Sequence, residues 1–316
     1  DLITQGGGVA AGDYDQDGWT DLYVTRGTIG PNLLFRNLGD GTFEETGASA
    51  GIGLEGRFDS GATFADIDAD GWPDLFVGGI NGTGPKLFKN LQNGIFEDIT
   101  DISGLADIIN SFSASFADYD KDGDLDMYVS HWNQNKQGKY LFQNDGFGVF
   151  TDVSEAAGIP DGLMADYTPI FADINNDSWL DLLVASDFNT TQIYINNKDG
   201  TFNNTTSEVI TDDNGMGAAV GDYDNDGDLD WFITSIFDPN GLPEDLAPGV
   251  HTGATGNRLY RNRGDGTFED VTDEAVVRFG SWGWGGSFAD FNNDGYLDIF
   301  HVNGFVTENF ISSATF

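Results

Sequence analysis

Cysteine is absent from all 316 residues. No disulfide can staple the fold, and thiol catalysis, zinc–thiolate sites and iron–sulfur clusters are excluded. Histidine is scarce: His131, His251 and His301 are too few for a His-rich metal site. Positive charge is scarce too. Thirteen Lys and Arg stand against 53 Asp and Glu, a formal net charge of −40. Such a surface repels a nucleic-acid backbone or an anionic membrane, so nucleic acid is excluded as a partner. No apolar run approaches the ~20 residues needed to cross a bilayer, so membrane insertion is not expected. No signal peptide is visible at Asp1, which fits a mature product. Sustained 3.6-residue periodicity is missing as well; 154–158 and 274–279 are each long enough for one turn of helix.

What is present is apolar and aromatic. Apolar residues make up 39% of the chain, with 25 Phe, 10 Tyr and 7 Trp, so it is not a disordered polyanion. The length allows one large domain or two ordinary ones.

The chain repeats itself. DYDQDGWTDL (13–22), DIDADGWPDL (66–75), DYDKDGDLDM (118–127), DINNDSWLDL (173–182), DYDNDGDLDW (222–231) and DFNNDGYLDI (290–299) are six versions of one motif, 49 to 68 residues apart. Segments such as LLFRNLGDGTF and LYRNRGDGTF follow the first five copies. Small residues alternating with apolar ones, as in SGATFA and GMGAAVG, precede the motif. Each unit thus holds four short apolar segments separated by Gly, Asp and Asn turns, which reads as four strands. The Asp-Gly pair before the TF segment is a hairpin signal.

Four-stranded units of about 50 residues predict an all-β fold, a six-bladed β-propeller with four-stranded antiparallel blades. Seven blades, or a β-solenoid, are the structural alternatives. The repeats fall at about 6–57, 58–110, 111–163, 164–213, 214–280 and 281–316, taken together as one domain over 1–316. After the sixth motif, ENFISSATF aligns with a third strand (Asn309 with Asn32), so the last blade is expected to be incomplete. An open strand edge is a template for pairing with another chain.

The spacing D-x-D/N-x-D-G-x-x-D carries the chemistry. Carboxylates or amides at positions one, three and five converge in a tight loop, and the Gly at six allows the turn. The carbonyl at seven and the Asp at nine complete a set of hard oxygen ligands suited to Ca²⁺. An EF-hand closes at position twelve between helices, whereas this loop closes at nine between strands.

The six expected sites are as follows. Site one is Asp13, Asp15, Asp17 and Asp21, with the carbonyl of Trp19. Site two is Asp66, Asp68, Asp70 and Asp74, with Trp72. Site three is Asp118, Asp120, Asp122 and Asp126, with Asp124. Site four is Asp173, Asn175, Asp177 and Asp181, with Trp179. Site five is Asp222, Asp224, Asp226 and Asp230, with Asp228. Site six is Asp290, Asn292, Asp294 and Asp298, with Tyr296. Sites four and six have one carboxylate fewer, and site four has Ser178 in place of Gly, so both are expected to be weaker. An acidic chain in brine needs no such register, and solubility does not fix carboxylates at one, three, five and nine.

These residues resemble the FG-GAP/VCBS repeat superfamily, whose propellers include the integrin alpha-chain head. GDYDNDGDLDWFI and LYRNRGDGTFEDVT are similar to bacterial VCBS-like propellers often found before an ASPIC/UnbV domain. No such segment follows here. The resemblance implies calcium and a propeller. It implies little about function, because the group includes adhesion proteins, lectin-like binders and non-catalytic parts of enzymes.

No G-x-S-x-G elbow, P-loop or H-E-x-x-H appears, and the chain is read as a non-enzyme. The expected role is an extracellular or cell-surface interaction module, adhesive or self-assembling by edge-strand augmentation, with itself or another surface protein as partner. The first alternative is a glycan-binding propeller using blade junctions or the insertion 235–257. The second is part of a secreted hydrolase or lyase. Trp19, Trp72 and Trp179 are expected to pack between blades, and Trp282 and Trp284 near the axis. His131 and His301 are expected to be structural or surface residues. Arg258, Arg261 and Arg263 form a basic cluster that could meet an acidic patch on a second copy; the alternative is a solvated strand face. Sequons lie at Asn81, Asn189, Asn203 and Asn204.

Overall fold

Each repeat turns its four apolar segments into short antiparallel strands paired in chain order. The computed structural model describes residues 7–132, 140–160, 165–238 and 254–304, and all regular structure among them is β. The first sheet is β1 (Gly8–Gly12), β2 (Asp21–Thr25), β3 (Leu33–Asn37) and β4 (Phe43–Glu45). The second is β5 (Asp59–Ala65), β6 (Asp74–Gly79), β7 (Lys86–Asn90) and β8 (Phe96–Asp98). The third is β9 (Ser111–Ala117), β10 (Asp126–His131), β11 (Leu141–Asn144) and β12 (Phe150–Asp152). One pairing, Gly79 with Ser111, bridges the second and third.

The fourth sheet is β13 (Asp166–Ala172), β14 (Asp181–Ser186), β15 (Gln192–Asn196) and β16 (Phe202–Asn204). The fifth is β17 (Ala218–Gly221), β18 (Asp230–Ile233), β19 (Arg258–Asn262) and β20 (Phe268–Asp270). The sixth repeat contributes β21 (Gly283–Ala289) and β22 (Asp298–Asn303). Its expected third strand falls in 305–316, outside the described residues. Repeated four-stranded antiparallel sheets are the blades of a β-propeller, as the sequence predicts. The two segments with room for one helical turn form turns: Ala157 donates to the carbonyl of Val153 and Ala275 to that of Val271, and neither continues.

Two compact units divide the chain: Asp1–Met164 with Lys198–Thr201, and Ala165–Asn197 with Phe202–Phe316. Within the first, Tyr23 and Leu34 meet Leu75, Val77 and Phe88 in one apolar layer. Phe76 and Leu87, pointing the other way, meet Met127, Val129 and Phe142 in the next. Within the second unit, Leu183 and Ala185 pack with Trp231, Ile233 and Tyr260. Phe232 and Leu259 pack with Phe288 and Ile299. Both faces of an inner sheet are therefore covered. This explains why β6, β10 and β14 are buried along their whole length and read as continuous apolar runs.

The first strands approach one another closely. A Cβ on Gly61 would lie 2.8 Å from the Cβ of Ser113, and one on Gly217 would lie 2.4 Å from the carbonyl oxygen of Trp284. Thr63 and Thr168 tie these strands through hydroxyl donation to the carbonyls of Ala114 and Met216, at 2.9 and 2.7 Å. The small residues ahead of each Asp motif are thus a steric requirement.

Trp231 is fully buried in the layer between β14 and β18. Replacing it with Ala is expected to cost about 3–5 kcal/mol through lost burial and the cavity left behind. Urea unfolding of the full chain checks this; a change below about 1 kcal/mol would place Trp231 outside the core.

Candidate metal centres

Between the first and second strands of each repeat, the Asp motif folds into one loop shape, built by its own side chains. The position-one carboxylate accepts two backbone N–H groups. Asp66 takes those of Asp70 and Gly71 at 3.1 and 2.9 Å, and Asp222 those of Asp226 and Gly227 at 3.0 and 3.0 Å. The position-five carboxylate accepts the N–H of position seven: Trp72 to Asp70 at 2.9 Å, Asp228 to Asp226 at 2.9 Å. Position six turns with positive φ, from 89° at Gly18 to 100° at Gly123. Ser178 takes the same turn at 69°, a conformation costing a non-glycine residue about 1–2 kcal/mol. Position four is also left-handed in all six loops: Gln16, Ala69, Lys121, Asn176, Asn225 and Asn293 have φ between 54° and 62°.

Three carboxylates converge in four of the loops. Asp13, Asp15 and Asp17 each offer an oxygen within 4.8 Å of the others, as do Asp66, Asp68 and Asp70. Asp118, Asp120 and Asp122, and Asp222, Asp224 and Asp226, form the same triad. Loops four and six have the same backbone bonds. Asp173 accepts from Asp177 and Ser178 at 3.0 and 2.7 Å, and Asp290 accepts from Asp294 and Gly295 at 3.0 and 2.9 Å. Their third member is the amide Asn175 or Asn292.

The triads fit a hard cation. One oxygen each of Asp68, Asp118 and Asp224 is buried without a hydrogen-bond partner. A buried carboxylate oxygen left unpaired costs free energy, and an ion at the convergence point would satisfy it. Oxygen donors on a flexible loop suit Ca²⁺.

Position nine has a different environment from the triad. Asp74 accepts the N–H of Ile67 at 3.1 Å through Oδ2 and of Asn90 at 2.7 Å through Oδ1. Asp21, Asp181 and Asp230 repeat this with Tyr14 and Asn37, Ile174 and Asn196, and Tyr223 and Asn262. Asp126 accepts from Asn144 at 2.9 Å and keeps Oδ2 buried and unpartnered. Asp298 accepts from Phe291 at 3.1 Å. Burial is the main influence on Asp21, Asp74, Asp126, Asp181 and Asp230. It pushes Asp21, Asp181 and Asp230 up to about 6, Asp74 to about 7 and Asp126 to about 8.

The partner of position nine, the Asn ending the third strand, has a role that the motif reading did not assign. Asn90 donates through Nδ2 to the carbonyls of Pro73 and, in the preceding repeat, Tyr14. Asn144 does the same with Leu125 and Ile67, and Asn262 with Leu229 and Ile174. Its recurrence in every L-x-x-N segment was the available signal.

Neighbouring loops also touch. Gln16 donates to the carbonyl of Gly71, Asn176 to the carboxylate of Asp228 at 2.7 Å, and Asn225 to the carbonyl of Gly295 at 2.9 Å.

Several further expectations are settled here, two as corrections. Trp19 is 52% exposed, and its indole lies over Gly39 of its own repeat, so this contact is within a blade and not between blades. Arg258 is buried, neither on a solvated face nor open to a second copy. It donates to the carbonyls of Thr211, Thr255, Gly256 and Asn257 and lies 3.6 Å from Asp270. Arg261 pairs with Glu269 at 3.3 Å. His131 is structural, bonding the carbonyl of Ile109 and meeting the ring of Tyr140 edge-on. Trp284 packs edge-on against Tyr167. His251 and most of the 235–257 insertion lie outside the described residues. Among the described residues, no helix is long and apolar enough to cross a membrane.

Comparison with known proteins follows the repeats. The pattern of the FG-GAP-like repeat matches residues 13–77, 66–129, 173–233 and 238–301. Cartilage acidic protein 1 of Xenopus tropicalis is 31% identical over 131 residues, 40% of this chain and 20% of its own length. Its Mus musculus counterpart is 26% identical over 191 residues, 58% of this chain and 29% of its own. The chain therefore spans less than a third of the curated relatives it matches, whose name states no reaction. Among solved structures, an Agrocybe aegerita lectin, described as recognising non-reducing terminal N-acetylglucosamine, aligns with a TM-score of 0.49 and 20% identity. That alignment covers 85% of this chain and 65% of the lectin.

The raised position-nine carboxylates, Asp21, Asp74, Asp126, Asp181 and Asp230, contribute to the pH behaviour of the metal-free chain. Their folded pKa values lie above the ordinary 3.8, so between about pH 4 and pH 8 the folded state holds protons that the unfolded state has released. Stability from these groups is fully present at low pH and is lost as pH rises through the folded values. In chelator, the urea midpoint is expected to be higher at pH 5 than at pH 8. A midpoint that rises with pH would contradict it.

Proposed function

The chain belongs to the FG-GAP-like repeat family, and from that premise we propose that it acts as an extracellular calcium-binding β-propeller module. It serves structure and interaction and carries out no reaction. The observation that carries the reading is the set of buried, unpartnered carboxylate oxygens at Asp68, Asp118 and Asp224, each inside a triad of converging aspartates.

Six loops hold the ions, with sites four and six the weaker because each has one carboxylate fewer. Positions one, three and five supply side-chain oxygens, position seven a carbonyl and position nine a further carboxylate. Calcium sites in extracellular modules work at about 0.1–1 mM, the concentration range found outside cells. Positions one, three, five and nine hold 22 aspartates, and six divalent ions add twelve positive charges and bring the chain from −40 to −28. Calcium here is a structural ion: it neutralises like charges that the fold forces together.

The partner we propose is a second copy of the chain or another surface protein, held by strand addition at the edge of the last blade, to which β22 belongs. Phe300 and Val302 on that strand are exposed, and Phe300 meets the exposed ring of Phe291 at 6.1 Å. Residues 305–316, which follow β22 in the sequence, lie outside the described residues.

Calcium that binds only the folded state adds about 2.7 kcal/mol per site at about 100 times Kd. The melting temperature is expected to rise steeply with calcium and to fall in EDTA. Asp222→Asn is expected to remove one bound ion per chain by equilibrium dialysis with metal analysis. An unchanged melting curve in EDTA would sink the structural role of calcium. Sedimentation at millimolar calcium tests the partner; a chain that stays monomeric at high concentration would exclude the second copy.

A further inference from the structure

The third strand reaches into the calcium loop of its own repeat with one side chain, the residue just before the Asn. That residue differs from repeat to repeat. In the first repeat it is Arg36, whose Nε lies 2.5 Å from Asp15 Oδ2 and whose Nη2 lies 3.3 Å from Asp17 Oδ2. In the second it is Lys89, which binds Asp68 Oδ2 and lies 4.0 Å from Asp70 Oδ2. In the third it is neutral: Gln143 donates to Asp120 Oδ2 at 2.7 Å. In the fourth it is Ile195, with no polar head. In the fifth it is Arg261, which pairs with Glu269 at 3.3 Å and bonds the side chain of Tyr223 rather than a carboxylate of the triad.

The geometry divides the position-three carboxylate in two. In loop two, Oδ2 of Asp68 holds Lys89, while Oδ1 is buried and unpartnered. The outer oxygen belongs to the third strand and the inner oxygen to the ion. A side-chain cation and a metal ion can therefore share one carboxylate, but they repel each other across it.

We infer that this third-strand residue tunes the calcium affinity of its own loop, weakening sites one and two relative to sites three and five, an inference that rests on the calcium reading above. Arg36 and Lys89 bring a permanent positive charge to carboxylates that would otherwise act on calcium alone. Gln143 clamps the same oxygen without charge. Arg261 pairs with Glu269 and not with Asp222, Asp224 or Asp226, so no side-chain cation shares their oxygens with the ion. The same cations act as built-in counter-ions when calcium leaves, and loops one and two are then the best-screened of the four Asp triads. Graded affinity from one repeated motif follows, with sites three and five filling before one and two as calcium rises.

A unit charge held a few ångströms from a divalent ion in a water-like dielectric alters its affinity by about tenfold. Hydrogen exchange of the full chain, followed by mass spectrometry over a range of free calcium, gives each loop its own midpoint. In the wild-type chain, the peptide over 66–74 is expected to be protected at higher calcium than that over 222–230. Lys89→Gln, which installs the side chain that repeat three already uses, is expected to lower the 66–74 midpoint by about tenfold. The reciprocal Gln143→Lys is expected to raise the 118–126 midpoint by a similar factor, with 222–230 unchanged in both. A shift of less than about twofold in both variants, or a 66–74 midpoint that rises in Lys89→Gln or a 118–126 midpoint that falls in Gln143→Lys, would overturn the tuning while leaving calcium binding intact. If no loop of the wild-type chain responds to calcium, the calcium reading itself falls.

Discussion

Three aspartate carboxylates with oxygens within 4.8 Å of one another repel, and four of the repeats must hold them there against that force. Backbone N–H groups do part of this work. Asp66 accepts two of them and Asp70 a third, so the negative charge is met by peptide dipoles before any ion arrives. The loop can adopt this shape because positions four and six turn left-handed together. Third-strand side chains contribute again in repeats one to three. What stays unmet is a buried oxygen at Asp68, Asp118 and Asp224, and the calcium reading rests on these atoms.

The same constraint organises the sheets. The position-nine carboxylate lies at the start of the second strand and accepts the N–H of the Asn ending the third. That Asn reaches back to a carbonyl of the preceding repeat in repeats two, three and five. Loop, sheet and neighbouring blade are thus joined by one Asp and one Asn. Apolar layers on both sides of the inner sheets fix the strands that these residues join.

Much of this was legible in the chain itself. Six copies of an Asp motif gave the repeat, the turn residues gave the strands, and positions one, three and five gave the triads. The gaps are local and share a physical origin. Trp19 recurs at position seven like a packing residue, yet it lies over Gly39 in its own blade, because a glycine in the following turn leaves room for the indole. Arg258 has the composition of a surface cluster but is buried, because carbonyls released at Thr255, Gly256 and Asn257 need a donor. Composition records charge; it does not record which backbone groups are left without partners.

The sequence by itself determined the repeated β architecture and the carboxylate spacing. Both depend on short-range periodicity: alternating apolar residues make a strand, and carboxylates two residues apart in a turn converge. The tertiary structure decided which oxygens face inward and which are taken by a neighbour. Lys89, Gln143 and Arg261 occupy one place in the repeat, yet the first two reach the loop while Arg261 bonds Glu269. That choice depends on which acceptor lies nearest across the sheet once the strands are paired, and no spacing along the chain encodes it.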